Sequence, residues 1–172
     1  MKSQGFVLFT VLIFLQIFSL ISLYHLTTLS VMMKTNYHLQ QGGNLRYRSQ
    51  KILNKIEAAL KENLPGCSIP VTPAHLLADK PLSWWQLNAC AAKEGNIHAY
   101  FVIETLGNDA CAKIQDSIAR YYRITLFAVF DDLHGAKYRL QTTMTLPTLP
   151  ATACQHKSHA VKSGRQSLRE IS

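Results

Sequence analysis

The sequence predicts an α+β fold: a long N-terminal helix, membrane-spanning in its first half and amphipathic in its second, packed on a small antiparallel β-sheet head. Three observations predict it. An apolar run without full charges extends from Phe6 to Met33, apolar residues recur at helical spacing between Asn44 and Leu64, and three strand-like runs follow from His98 onward.

The first element is the anchor. The 172 residues leave room for one ordinary domain and a membrane segment. Between Phe6 and Met33 only uncharged polar residues and His25 interrupt the apolar run, which exceeds the ~20 residues a helix needs to cross a bilayer. The first full charge after Lys2 is Lys34, so the span avoids groups that each cost about 2.5–3.5 kcal/mol at the membrane centre. A secretory signal has a shorter apolar core, ~7–15 residues, and a small-residue cleavage site that is missing here. Residues 6–33 are therefore expected to stay as a transmembrane helix.

Two signals oppose each other on its orientation. Lys34, Arg46, Arg48 and Lys51 outnumber Lys2, which by charge alone places the C-terminal part in the cytoplasm. Cys67, Cys90, Cys111 and Cys154 are widely spaced and form no C-x-x-C zinc pair, which points to two disulfides in an oxidising compartment. The cysteines carry more weight, and the head is expected outside the cytoplasm.

The second element, residues 34–64, continues the helix. Leu45, Ile52, Leu53, Ile56, Ala59 and Leu60 form one stripe, with Arg46, Arg48, Lys51, Lys55, Lys61 and Glu62 mostly outside it. Pro65 and Gly66 end it. Gly42 and Gly43 each cost about 1 kcal/mol relative to Ala inside a helix, and predict a soft joint or local melting there.

The head, residues 65–154, opens with an irregular stretch, Ser68 to Asn96, punctuated by Pro70, Pro73 and Pro81; within it Trp84 and Trp85 suit the cap of a core better than a binding surface. Strands are expected at His98–Leu106, Tyr121–Phe130 and Lys137–Leu146. In the third, Tyr138, Leu140, Thr142, Met144 and Leu146 face one way and the alternate residues the other. The short segment Asp131–Gly135 reads as a hairpin connection. In a three-strand meander the first and third strands run the same way, so Cys111 and Cys154 leave the same sheet end. Of the three connectivities open to four cysteines, this favours Cys111–Cys154 with Cys67–Cys90.

Chemistry is sparse. No G-x-S-x-G, phosphate loop or H-E-x-x-H occurs. Glu104, Asp131 and Asp132 are accounted for by strand and turn polarity, so no catalytic residue and no enzymatic activity are expected. Cys154, His156 and His159 lie close in sequence but on a tail that cannot orient ligands, so no metal and no cofactor are expected either. Residues 155–172 carry His156, Lys157, His159, Lys162, Arg165 and Arg169 with few apolar residues, and read as a disordered basic tail. They supply much of the net charge of +8, yet with no nucleic-acid module nearby, nucleic acid is not an expected partner.

The leader ending in Gly5, the apolar helix from Phe6, its amphipathic continuation and the small α+β head together resemble a type IV pilin-like protein. "GGNLRYRSQKILNKIEAAL" (Gly42 to Leu60) is similar to the Gly-Asn-x-Arg-x-Arg and Glu-Ala-Ala-Leu region of PilX-type minor pilins, and "YFVIETLG", "YYRIT" and "LQTTM" are similar to their C-terminal sheet. The resemblance covers most of Met1 to Leu146, apart from the variable middle. It implies a leader, residues 1–5, removed between Gly5 and Phe6 by prepilin peptidase, with Phe6 N-methylated. It implies a single pass of the inner membrane with a periplasmic head, then a place in the pilus fibre beside other minor pilins, the major pilin and a large tip adhesin. Most such proteins carry a glutamate at the position of Thr10, which pairs with the amine of the subunit ahead. The neutral Thr10 implies an assembly or tip-priming subunit. Two other expectations fit the same residues: a minor pseudopilin of a type II secretion system, and a membrane-anchored periplasmic binding module that keeps its leader.

Overall fold

The apolar stripe of the second helical stretch is buried at Leu45, Ile52, Leu53, Ile56 and Leu60, while Ala59, expected on the same stripe, falls at its edge and is exposed. The sheet that the stripe covers is larger than the sequence suggests. The computed structural model describes residues 4–62, 66–131, 137–150, 154 and 157–171, in two compact units, Met1–Gly42 and Gly43–Ser172.

Helix α1 runs Gln4–Glu62. Within the first unit its side chains from Val7 onward stand uncovered by protein, with Phe14 at 63% and Leu20 at 67% exposure. Among the described residues this is the one helix long and apolar enough to span a membrane. The expected melting at Gly42 and Gly43 is corrected: both are helical, and a Cβ at either would meet nothing within 4 Å. Helical hydrogen bonding on either side carries the chain through the two weak positions.

The second unit is a sheet with a different cover on each face. Strands β1 (Ser68–Ile69), β2 (Cys90–Glu94), β3 (Ile97–Ile114), β4 (Ser117–Phe130), β5 (Lys137–Pro150), β6 (His159–Ala160) and β7 (Gly164–Glu170) form it, in the order β1-β3-β4-β5-β7, with β2 and β6 also on β3. The meander β3-β4-β5 is antiparallel, registered by Tyr100↔Phe127 and Phe127↔Arg139. One face carries Ile97, Ala99, Phe101 and Ile103 of β3, the even residues from Tyr122 to Phe130 of β4, and Tyr138, Leu140 and Met144 of β5. Leu45, Ile52, Leu53, Ile56 and Leu60 of α1 close over it. The alternation expected in the third strand holds, with Leu146 at its margin.

The opposite face holds Val102, Phe127 and Val129 beneath two short helices, α2 (Ala74–Ala78) and α3 (Leu82–Asn88). Here the irregular reading of Ser68–Asn96 is corrected. Pro73 and Pro81 start helices rather than only breaking the chain, because proline at a helix N-terminus lacks only a donor that would be unpaired anyway. Their carbonyls accept from Leu76 N and Trp84 N, each at 3.0 Å. Trp85 is fully buried and stacks on Phe127, with ring centroids 5.5 Å apart and planes at 23°.

The first two strands are also longer than expected. β3 runs past the end expected at Leu106 by shifting register between Thr105 and Gly107 and again between Asp109 and Lys113. Gly107 takes φ +116°, and the Asp109 carboxylate accepts from the amides of Cys111 at 2.8 Å and Ala112 at 3.3 Å. Cys111 thus lies within β3, not beyond its end. The hairpin segment Asp131–Gly135 lies outside the described residues from Asp132 on.

The largest correction is the tail. β7 pairs antiparallel with β5, Leu140 opposite Glu170 and Gln141 opposite Arg169, and β6 pairs parallel with β3. A polar composition argues for disorder only when no open edge is waiting, and β5 offers one whose backbone groups need partners.

Candidate functional site

Three sets of residues carry what the molecule can do. The first is the apolar stretch of α1 in the unit Met1–Gly42. Gly5 and Phe6 lie in its first helical turns. Thr10 donates its hydroxyl to the Val7 carbonyl at 2.8 Å, and Thr27, Thr28 and Thr35 make the same back-bonds to Tyr24, Tyr24 and Val31 at 2.8–3.0 Å. Each hydroxyl has its acceptor inside the helix, as an apolar surrounding requires. The back-bond accounts for the Thr10 hydroxyl within its own helix, and the side chain is uncharged.

The second set ties the Leu45–Leu60 stretch of α1 to the sheet at both margins. Lys51 and Lys55, one helical turn apart, both reach Glu94 at the end of β2, at 2.6 and 2.7 Å. Hydrogen bonds from Lys51 and then Lys55 hold the Glu94 carboxyl down from its ordinary 4.5 to about 2, and Glu94 in turn raises Lys51. Arg48 donates to the Asn96 side chain at 3.0 Å across the Gly95–Asn96 turn. Gly95 sits at φ +63°, and any Cβ there would run into the Arg48 guanidinium. At the other margin Arg165 of β7 grips Glu57 with Nε and Nη2, both at 2.8 Å, and Asn54 with Nη2 at 2.6 Å. Residues the sequence assigned to a loose tail therefore clasp the stalk. None of these contacts was anticipated from the sequence, where Gly95 and Asn96 fall in an irregular stretch; the Gly-Asn pair is the one local signal that could have marked the turn.

The third set lies on the face under α2 and α3, where paired positions line up across strands. Glu104 on β3 stands opposite Arg123 on β4. Its carboxylate has no exposed surface and accepts from Arg123 Nε and Nη2, both at 2.6 Å, and from the Thr72 amide at 2.8 Å. Arg123 Nη2 also donates to the Thr72 carbonyl, and Glu104 holds the guanidinium pKa above its ordinary value. This corrects the reading of Glu104 as ordinary strand polarity: it is a buried ion pair that fixes the loop between β1 and α2. The next row holds Gln141, which donates to Thr125 at 3.0 Å and accepts from Arg169 Nε at 2.8 Å. In the row beyond, Arg139 lies over the Phe127 ring, 5.0 Å from its centroid.

The remaining candidates have plain partners. Cys67 bonds Cys90 with Cα atoms 5.5 Å apart, joining the chain after α1 to the start of β2, and Cys111 bonds Cys154 at 5.1 Å. These are the two pairs the strand order favours, and each closed loop stabilises the fold by about 3–4 kcal/mol in the chain-entropy treatment. Cys154 is thus spent in a disulfide, His159 lies in β6, and His156 lies outside the described residues. Asp131 accepts from His98 at 2.7 Å and Lys93 at 3.4 Å. Asp132 is outside the described residues. No family model, no curated protein and no solved structure matches this chain.

Proposed function

We propose that the chain is a minor pilin of a type IV pilus, an assembly or tip-priming subunit with no enzymatic activity. One observation carries the reading. The stretch of α1 from Val7 to Met33 is predominantly apolar, free of full charges and uncovered, while its continuation from Leu45 closes the core of a disulfide-bonded α+β head. Such a helix needs a bilayer first and the helices of other subunits afterwards, since water would meet a predominantly apolar surface without full charges on every side.

In this reading prepilin peptidase cuts after Gly5, whose missing side chain lets the scissile bond enter a narrow site, and Phe6 becomes the N-methylated first residue. The subunit waits in the inner membrane with its head in the periplasm and then joins other minor pilins and the major pilin through α1, with a large tip adhesin as a further partner. The neutral Thr10 supports a position at or near the tip. Burying an unpaired amine costs several kcal/mol, so a subunit that offers no carboxylate at this position is ill suited to repeated addition along a shaft.

The test is the N-terminus of membrane-extracted protein made together with a prepilin peptidase. Mature protein is expected to begin at Phe6, and Gly5→Val to keep its leader. Intact Met1 on fibre-associated protein would overturn the proposal.

A further inference from the structure

The apolar run of α1 holds a single carboxamide. Gln16 is the only asparagine or glutamine between Phe6 and Met33, and it stands ten residues from the start of the run, about 15 Å along a helix. That is half the ~30 Å of hydrocarbon a membrane helix crosses. Gln16 is exposed and makes no hydrogen bond among the described residues, whereas Thr10, Thr27 and Thr28 close theirs on their own helix. Its amide offers two donors and an acceptor, and lipid tails partner none of them. His25 is placed differently: about 28 Å along the run, it lies near the far boundary, where headgroups and water are partners. Ser19, Leu23, Thr27 and Ser30 follow Gln16 at steps of three, four, four and three residues, within about 80° of arc. On such a stripe the two serines let another helix come close, as membrane helix pairs require.

We propose that α1 pairs in the bilayer with α1 of a second copy of this chain, in parallel, each Gln16 exchanging hydrogen bonds with the other across this stripe. Complementarity and depth select that partner. A carboxamide is donor and acceptor at once, so two of them related by a two-fold axis satisfy each other without a third group. Copies of one chain enter the membrane the same way round, which sets their Gln16 side chains at one depth. A different helix would need a polar group placed at that depth independently. The inference rests on the membrane-spanning reading of α1 and names the partner it takes in the bilayer, before any fibre forms.

The experiment is sedimentation equilibrium of the full, oxidised chain in a neutrally buoyant non-ionic detergent, over a range of protein-to-detergent ratios. A reversible monomer–dimer equilibrium is expected. Gln16→Leu should raise its dissociation constant about tenfold, the strength of hydrogen bonds between membrane helices, with the melting temperature of the head unchanged. Gln16→Asn keeps a carboxamide and should stay within about threefold of the parent. Phe18→Leu, two residues on and so on the opposite side of the helix, should leave the equilibrium as it is. In the membrane itself, mild oxidation should link copies carrying Leu23→Cys and spare those carrying Phe18→Cys. A parent monomeric at every concentration would overturn the proposal and leave Gln16 to the helix of a different protein. Gln16→Leu associating as tightly as the parent, or equal linking at both cysteine positions, would overturn it as well. The N-terminus of the same preparation separates the two readings: monomeric protein that begins at Phe6 removes the pairing alone, and dimeric protein that keeps Met1 in fibres removes the minor-pilin reading alone.

Discussion

Replacing Arg123 by methionine asks how far the face under α2 and α3 depends on its buried ion pair. Methionine keeps much of the stem and removes the guanidinium. Glu104, with no exposed surface, loses both 2.6 Å bonds and keeps only the Thr72 amide at 2.8 Å, while the Thr72 carbonyl loses its side-chain donor. A charge-assisted hydrogen bond contributes about 1.5–3 kcal/mol, and stranding one member of a buried pair costs about 3–5 kcal/mol. The expected loss is therefore about 3–5 kcal/mol, a drop of roughly 2 M in the urea midpoint at a slope of about 2 kcal/mol/M. The assay is a urea titration of the oxidised full chain in detergent, followed by the fluorescence of Trp84 and Trp85 on this face. The paired variant Glu104→Gln with Arg123→Met leaves no bare charge and should regain much of the loss. A cost under about 1 kcal/mol for Arg123→Met, or a paired variant no more stable than the single one, would refute the reasoning.

Three further outcomes are expected. Glu94 is held at about 2 against an ordinary 4.5, so its contribution is present above pH 4.5 and is lost as the pH falls through 2. The melting temperature of the parent should fall more steeply over that window than that of Glu94→Gln, and parallel curves would remove Lys51 and Lys55 from the argument. Arg165→Ala leaves Glu57 nearly buried and unpaired, and should cost about 1–3 kcal/mol while speeding amide exchange at Ser167 and Leu168. Unchanged exchange would return residues 164–170 to the disordered reading. The tip assignment from Thr10 expects few copies per fibre, near one end, with pilus number reduced on deletion; uniform immunogold labelling of the shaft, at a level near that of the major pilin, would contradict it.

The parts of the fold legible in the sequence are those held by apolar periodicity. Leu45, Ile52, Leu53, Ile56 and Leu60 recur with the helix, and Tyr138, Leu140 and Met144 with the strand. In both cases the burial that stabilises the element is written in residue type at fixed spacing. Trp85 was legible as a core cap from the bulk of its aromatic pair with Trp84, and the cysteine pairs followed once the strands were ordered.

The candidate site was legible at its N-terminal end, because a membrane span is a local property of composition. Its head end was not. Glu104 and Arg123 are separated by 19 positions and Glu57 and Arg165 by 108, and nothing local distinguishes either pair from ordinary surface charges.

The apolar N-terminal stretch was written in local composition, and the stripe that covers the sheet and the central meander in side chains repeating at the period of their own element. That Gly164–Glu170 is a strand, that Pro73 and Pro81 begin helices under a second face, and that Arg169 reaches Gln141 across two strands emerged only from the packing of distant segments. The physical reason is common to all of them. A polar segment becomes ordered when it meets an open strand edge or a buried opposite charge elsewhere in the chain, and the free energy of that meeting belongs to the pair of segments rather than to either one.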